Sequence, residues 1–166
     1  APIMESIYLN TAPAAQAPGF YRYRVGSLTL TALHDGATRM KLAETFVRNA
    51  PPAEVNAALE DALLTAGEID NHYNQLLVAT GGRLVLIDPG TAGAAGPASG
   101  LLPANLGAAG VDAKRIDTVV ISHFHGDHIN GLRAKDGALA FPNAEVLVPE
   151  AEWAFWMDDG QMSRAP

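Results

Sequence analysis

The chain contains no cysteine, which removes disulfide bridges, thiolate metal ligands and cysteine nucleophiles together. Any metal held by these residues must sit on imidazole nitrogen and carboxylate oxygen. Positive charge is also scarce: 11 Lys and Arg stand against 18 Asp and Glu in 166 residues, a formal net charge of -7. No overall basic field exists to draw in a phosphate backbone, so nucleic acid is not an expected partner. No apolar run approaches the roughly 18 residues of a membrane span, and "APIMESIYLN" lacks the basic and apolar regions of a signal peptide. A membrane is therefore not an expected partner either. The first residue is Ala1 rather than methionine, which leans slightly towards a matured, periplasmic protein.

What is present fits one folded domain: 48% of the residues are hydrophobic, as in ordinary globular chains. Residues 1–18, ending in the Ala/Pro-rich "APAAQAP", read as a flexible N-terminal arm. "FYRYRV" and "LTLTAL" alternate across Gly26-Ser27 and predict a β-hairpin, with His34-Asp35-Gly36 closing it as a turn. Residues 52–65 place Val55, Ala58, Leu59 and Leu63 at helical spacing between opening prolines and Gly67. "YNQLLVAT" and "RLVLID" around Gly81-Gly82 predict a second hairpin, and its near-continuous apolar run suits a strand buried on both faces. Residues 89–100, rich in Gly and Ala, read as a flexible loop leading to a helix near 100–109. "RIDTVVIS" (115–122) and "NAEVLVP" (143–149) read as further strands, and "EAEWAFWMD" as a short helix. Alternating strands and helices place the chain in the α/β or mixed α+β class.

Three of the five histidines fall within "HFHGDH", residues 123–128, where a buried strand runs out into a glycine-containing loop. Strand ends hold the backbone while the loop is free to aim side chains. On an extended segment His123 and His125 point the same way and can share one ion. Asp127 and His128 follow Gly126, whose freedom in φ allows a sharp turn, and can address a second ion. A solvated loop with coincidental histidines is the alternative; three histidines and an aspartate in this order after a buried strand argue against it.

"HFHGDH" resembles the His-x-His-x-Asp-His signature of the metallo-β-lactamase superfamily. "LVLIDPG" is similar to that family's strand ending in Asp-x-Gly, and "NHYNQLLV" to the strand before it. Within the superfamily the sequence most resembles methyl parathion hydrolases, in "APGFYRYRVGSLTLTALHDG", "LLPANLGAAG" and "LAFPNAEV". The resemblance implies an αβ/βα sandwich, of which residues 19–166 supply the first αβ half, around two divalent ions, usually zinc. His123 and His125 would bind the first ion, Asp127 and His128 the second, with Asp127 also counted as catalytic and Asp88 as a supporting carboxylate behind them. A metal-bridging hydroxide would be the nucleophile.

Two departures accompany the match. Asn130-Gly131 stands where the family often carries Gly-Gly. No histidine follows His128, so the ligands that the family draws from its second half are not among these residues. A truncation or chain break is the favoured explanation. An uncovered sheet face would then expose an apolar patch that drives association, and a homodimer is possible.

Lesser candidates are His72, beside a buried strand and able to face substrate or serve only structure, and Trp156, which the resemblance places in an aromatic substrate pocket. Tryptophans at i and i+3 in "WAFW" otherwise read as core contacts. His34 reads as solvated or backbone-bonded, and Asp158-Asp159 as a solvated loop. The expected function is a dinuclear-metal hydrolase of phosphotriesters or related small, apolar neutral esters. A lactonase or arylesterase using the same metal centre is the enzymatic alternative, and a non-catalytic metal-binding fragment the alternative of another class.

Overall fold

A computed structural model of the chain describes residues 17–163. The arm assigned to residues 1–18 thus lies outside the described residues except for Ala17 and Pro18. The described residues form a six-stranded sheet in sequence order: β1 (Phe20–Val25), β2 (Leu28–Lys41), β3 (Glu68–Thr80), β4 (Arg83–Ile87), β5 (Thr118–Val120) and β6 (Glu145–Leu147). The first three pairings are antiparallel and the last two parallel. Parallel neighbours need a crossover. Helix α2 (Leu102–Ala108) lies between β4 and β5, and the histidine loop with α3 (Gly126–Ile129) between β5 and β6. Helix α1 (Pro52–Asp61) interrupts the long β2–β3 hairpin, and α4 (Glu150–Trp156) and α5 (Asp159–Met162) follow β6.

Both predicted hairpins form. Val25 pairs with Leu28 around Gly26, and Thr80 with Arg83 around Gly81 and Gly82, whose φ values of 55° and 79° suit a two-residue turn. The predicted helix at 52–65 stops at Asp61, and none of its residues is buried. The strand expected over 115–122 shrinks to Thr118–Val120; at its start, Asp112 accepts a hydrogen bond from Lys114 N (2.9 Å) and caps a 3₁₀ turn over Ala113–Arg115. Among the described residues no helix is long and apolar enough to cross a membrane.

His34-Asp35-Gly36 is not a turn. Strand β2 continues to Lys41 and pairs with β3 as far as Glu68, with a register shift between His34 and Gly36. The bulge turns Asp35 inward, where it is fully buried. Its Oδ2 accepts from Thr91 N (2.8 Å) and Thr91 Oγ1 (2.7 Å), and Oδ1 from Leu102 N (2.8 Å). Gly36, at φ 135°, lies so close to the Ala98 carbonyl that a side chain there would overlap it. Asp35 therefore ties β2 to the 89–100 segment and to the start of α2. That segment is no loosely held loop: Thr91 is fully buried, the Ala95 carbonyl accepts from Thr38 Oγ1 (2.8 Å), and Ser99 bridges to Gly36. Hydrogen bonds attach it where large side chains are lacking.

The core lies on one face of the sheet, where Leu33, Leu77, Leu86 and Val119 meet Leu102, Leu106, Ile116, Ile121 and Phe141. On the opposite face Ala32, Leu76, Val78, Val85, Ile87 and Val120 are only half-buried among the described residues. The expectation that β4 is covered on both faces therefore holds for one face here.

At the far end of the β2–β3 hairpin, Arg39 makes a bidentate pair with Asp70 (2.7 and 2.8 Å). The Arg39 hydrogen bonds hold the Asp70 carboxyl below its ordinary range. A lowered native value means that the pair's contribution is present above the unfolded-state range and lost as pH falls through the native one. The pair is solvent-exposed and adds little to stability.

Candidate metal centre

The parallel strands β4 and β5 end side by side, and their last residues are stitched together. Asp88 N donates to Val120 O (2.9 Å); Ser122 donates from its backbone N to Asp88 Oδ1 and from Oγ to Oδ2, both at 2.8 Å. Asp88 has a left-handed backbone (φ 57°), a conformation aspartate tolerates better than most residues. That conformation sits where the chain leaves the sheet, with the mostly buried carboxylate turned towards the start of the histidine loop.

The loop gathers the predicted ligands. The His123 ring lies 4.6 Å from that of His125 and 3.9 Å from that of His128, centre to centre. His125 is extended and precedes α3, whose first turn carries Asp127 and His128. The sharp turn expected from Gly126 is made by the start of this helix and not by a left-handed glycine. A Cβ at Gly126 would stand 2.9 Å from the Asn130 amide nitrogen, the movable end of a side chain. The next residue, Gly131, donates to Gly90 O (3.0 Å), and any side chain would overlap the Pro89 carbonyl. Asn130 thus folds back over Gly126 while Gly131 keeps the close approach. Gly131→Ala must push the Pro89-Gly90 backbone away, and overpacking of this kind costs about 1–3 kcal/mol. A thermal melt should show a loss of several degrees, and metal affinity should fall with it, because Asp88 directly precedes the displaced backbone.

His128 is the hub of the cluster. Its Nδ1 stands 2.8 Å from Asp88 Oδ2 and its Nε2 3.3 Å from Asp127 Oδ2. An ionised carboxylate only accepts, so Nδ1 donates to Asp88 and Nε2 is turned towards Asp127. An imidazole nitrogen beside a carboxylate oxygen is a donor pair suited to a divalent cation, with a carboxylate behind the imidazole as metal-binding histidines require. Among the described residues no three imidazole or carboxylate groups already stand as a closed ligand set. The histidines instead contact one another ring to ring. The donor set fits a metal; its closure needs donors beyond these.

His72 is not brought to the cluster. Strand residues alternate sides, and Asn71 and Tyr73 face an open cavity of about 340 Å³ that Asp127 and Asn130 also line. His72 points to the other side of β3, where its ring lies 5.9 Å from that of His34, which contacts Asn74 (3.3 Å). The residue facing that cavity is Tyr73, one position along. A larger, mainly apolar cavity of about 550 Å³ lies between α2 and the 131–141 segment and contains none of the four candidate ligands.

Trp156 and Trp153 are not core contacts; they are 38% and 54% exposed. Trp156 Nε1 donates to Glu152 Oε2 (3.1 Å), which also accepts from Phe124 N (2.8 Å), between the first two histidines. Glu152 therefore anchors the loop to α4. Neither it nor Ser122 is marked by residue pattern, because each acts through a partner distant in sequence or through a single hydroxyl. Asp158, read as merely solvated, caps α5 by accepting from Gln161 N (3.0 Å).

The sequence profile described as "Metallo-beta-lactamase superfamily" matches residues 70–165. No curated protein matches the chain. Among solved structures it is similar to AidC, a dizinc quorum-quenching lactonase in complex with a product, N-hexnoyl-L-homoserine. The identity is 34%, the TM-score 0.80, and the match covers 84% of this chain and 48% of that one. It is similar also to the hydrolase AbOPH in beta lactamase superfamily, at 33% identity and TM-score 0.82, over 92% of this chain and 52% of that one. A probable metal-dependent hydrolase from Staphylococcus aureus shares the fold at 22% identity and TM-score 0.65, over 81% of this chain and 51% of that one. The chain spans about half the length of each. The profile spans the strand-end aspartate and the histidine loop over more than half of the chain, and the chain belongs to the metallo-beta-lactamase superfamily.

Proposed function

We propose that residues 19–166 form the first αβ half of a dinuclear metal-dependent hydrolase of small neutral esters, phosphotriesters or lactones. The observation that carries this reading is the convergence of His123, His125, Asp127 and His128 beyond β5, with Asp88 behind His128 at 2.8 Å. His123 and His125 hold the first ion and Asp127 and His128 the second, both zinc. When bound, such ions supply Lewis acidity: they lower the pKa of water and offset the negative charge that develops on the substrate oxygen under attack. Asp88 fixes the orientation of His128. Asp127, which lines the open cavity as well, is the carboxylate that touches whatever enters it. Tyr73 and Asn71 form the opposite wall and orient the substrate, and Trp156 adds an aromatic surface near the loop.

The remaining ligands belong, in this reading, to a second αβ half outside these residues, which also covers the half-buried face carrying Leu76, Val85 and Ile87. A homodimer through that face is the competing cover. The phosphotriester reading rests on the sequence resemblance to methyl parathion hydrolases; the lactone reading is favoured by the likeness to AidC, a lactonase. A paraoxon-type triester and an N-acyl-homoserine lactone, assayed side by side with the zinc-loaded whole protein, decide between them. Turnover of at least one is expected, lost on chelation and restored by zinc. Two ions bound without cleavage of any ester would leave only a metal-binding module.

A further inference from the structure

The Ser122 hydroxyl stands at the centre of the cluster yet belongs to no candidate ligand set. Its Oγ is 2.8 Å from Asp88 Oδ2, 3.0 Å from His123 Nδ1 and 3.2 Å from His128 Nδ1. A serine hydroxyl has one proton and two lone pairs. Asp88, as a carboxylate, only accepts, so that proton goes to Oδ2. The Ser122 oxygen is then left as an acceptor facing His123. The His123 Nδ1 must carry a hydrogen to meet it, and the lone pair of the neutral ring is confined to Nε2. His128, whose Nδ1 already donates to Asp88, is fixed the same way.

We infer that Ser122 is a positioning residue that sets the His123 tautomer, so that one aspartate orients two histidines: His128 directly, and His123 through the serine. The inference rests on the proposed metal-binding role of His123, but the relay itself is a property of the metal-free protein. The hydroxyl is placed for this because Ser122 N is held at 2.8 Å by the other oxygen of the same carboxylate. Backbone and side chain of one residue thus clamp both Asp88 oxygens, and Oγ has little freedom to move. Metal-binding histidines depend on an acceptor at the second ring nitrogen to fix tautomer and ring orientation, and loss of such a partner typically weakens metal affinity about 10- to 100-fold.

The test compares Ser122→Ala and Ser122→Thr in the whole protein. Ring-nitrogen NMR of the metal-free protein, at a pH where the imidazoles are neutral, should show His123 as the Nδ1-H tautomer in the parent and the Thr variant. In the Ala variant it should show a mixture. Zinc affinity, measured by chelator competition, should fall about 10- to 100-fold in Ser122→Ala and be restored in Ser122→Thr, with thermal stability separating relay from fold. Unchanged ring-nitrogen shifts in Ser122→Ala would overturn the inference. So would a Thr variant as weak as the Ala variant, since that result assigns the effect to packing. If the parent protein binds no zinc, the proposed function fails instead, and the spectra of the metal-free protein still decide the role of Ser122.

Discussion

His128→Ala should reduce ester hydrolysis by the whole protein more than about 100-fold, with loss of at least one bound ion. The magnitude follows from a comparison. Removing a group that merely orients a metal ligand typically costs about 10- to 100-fold in affinity or activity, and His128 is itself a proposed ligand. Its loss does further harm. The imidazole stands between Asp88 (2.8 Å) and Asp127 (3.3 Å), and the alanine variant leaves these two carboxylates without the group that separates them. The measurement is kcat/KM and zinc content on the same preparation, with circular dichroism to show that the fold is intact. A variant within a few-fold of the parent would remove His128 from the centre.

Asp35→Ala is expected to be the most destabilising single change in these residues. The side chain is fully buried and serves three donors, Thr91 N, Thr91 Oγ1 and Leu102 N, that have no water to turn to. Each buried donor left without an acceptor costs about 1–3 kcal/mol, so three of them bring the loss to roughly 3–5 kcal/mol with partial relaxation. At about 2–4 °C per kcal/mol for a chain of this size, the melting temperature should fall by on the order of 10 °C. The effect should reach the metal centre, because Thr91 lies just three residues beyond Asp88 and their connecting backbone also carries the Gly90 contact to Gly131. Asp35→Asn, which keeps one acceptor oxygen, should recover part of the loss. A thermal melt of the Ala variant within 2 °C of the parent would show that the donors find other partners.

The histidine cluster was legible in the sequence because it is local. Six consecutive residues carry the histidine cluster, and the apolar run before them marks the strand that holds it. The two hairpins were equally plain, since alternation flanks Gly26-Ser27 in one and Gly81-Gly82 in the other. Asp35 was not. His-Asp-Gly is turn chemistry by local rules, and only the distant Thr91 and Leu102 make it a bulge with an inward carboxylate. The 89–100 segment misled for the same reason: its small residues build no core, yet hydrogen bonds to Asp35, Thr38 and Gly36 fasten it down. Gly126 was read for its freedom in φ, whereas it opens α3 without a left-handed backbone. His72 lies on the opposite side of β3 from Asn71 and Tyr73, which line the cavity beside Asp127, a difference set by strand alternation. Glu152 and Ser122 could not be found by spacing, as the partners of Glu152 include a backbone N–H 28 residues away and Ser122 acts through a single hydroxyl.

Such cases share a pattern. Side chains whose own chemistry suits an ion sit together in sequence and leave a motif; those that hold them in place are dictated by the fold and leave none. The bland-looking Asn130-Gly131 pair belongs to the second kind, since Gly131 is fixed by its contact with the Pro89 carbonyl rather than by any ligand.

The most direct measurement is a count of ions bound by the purified whole protein, by elemental analysis, beside a variant in which His123, His125, Asp127 and His128 are all alanine. Two zinc ions per chain in the parent and essentially none in the variant is the expected result. Equal metal content in both proteins would contradict the account.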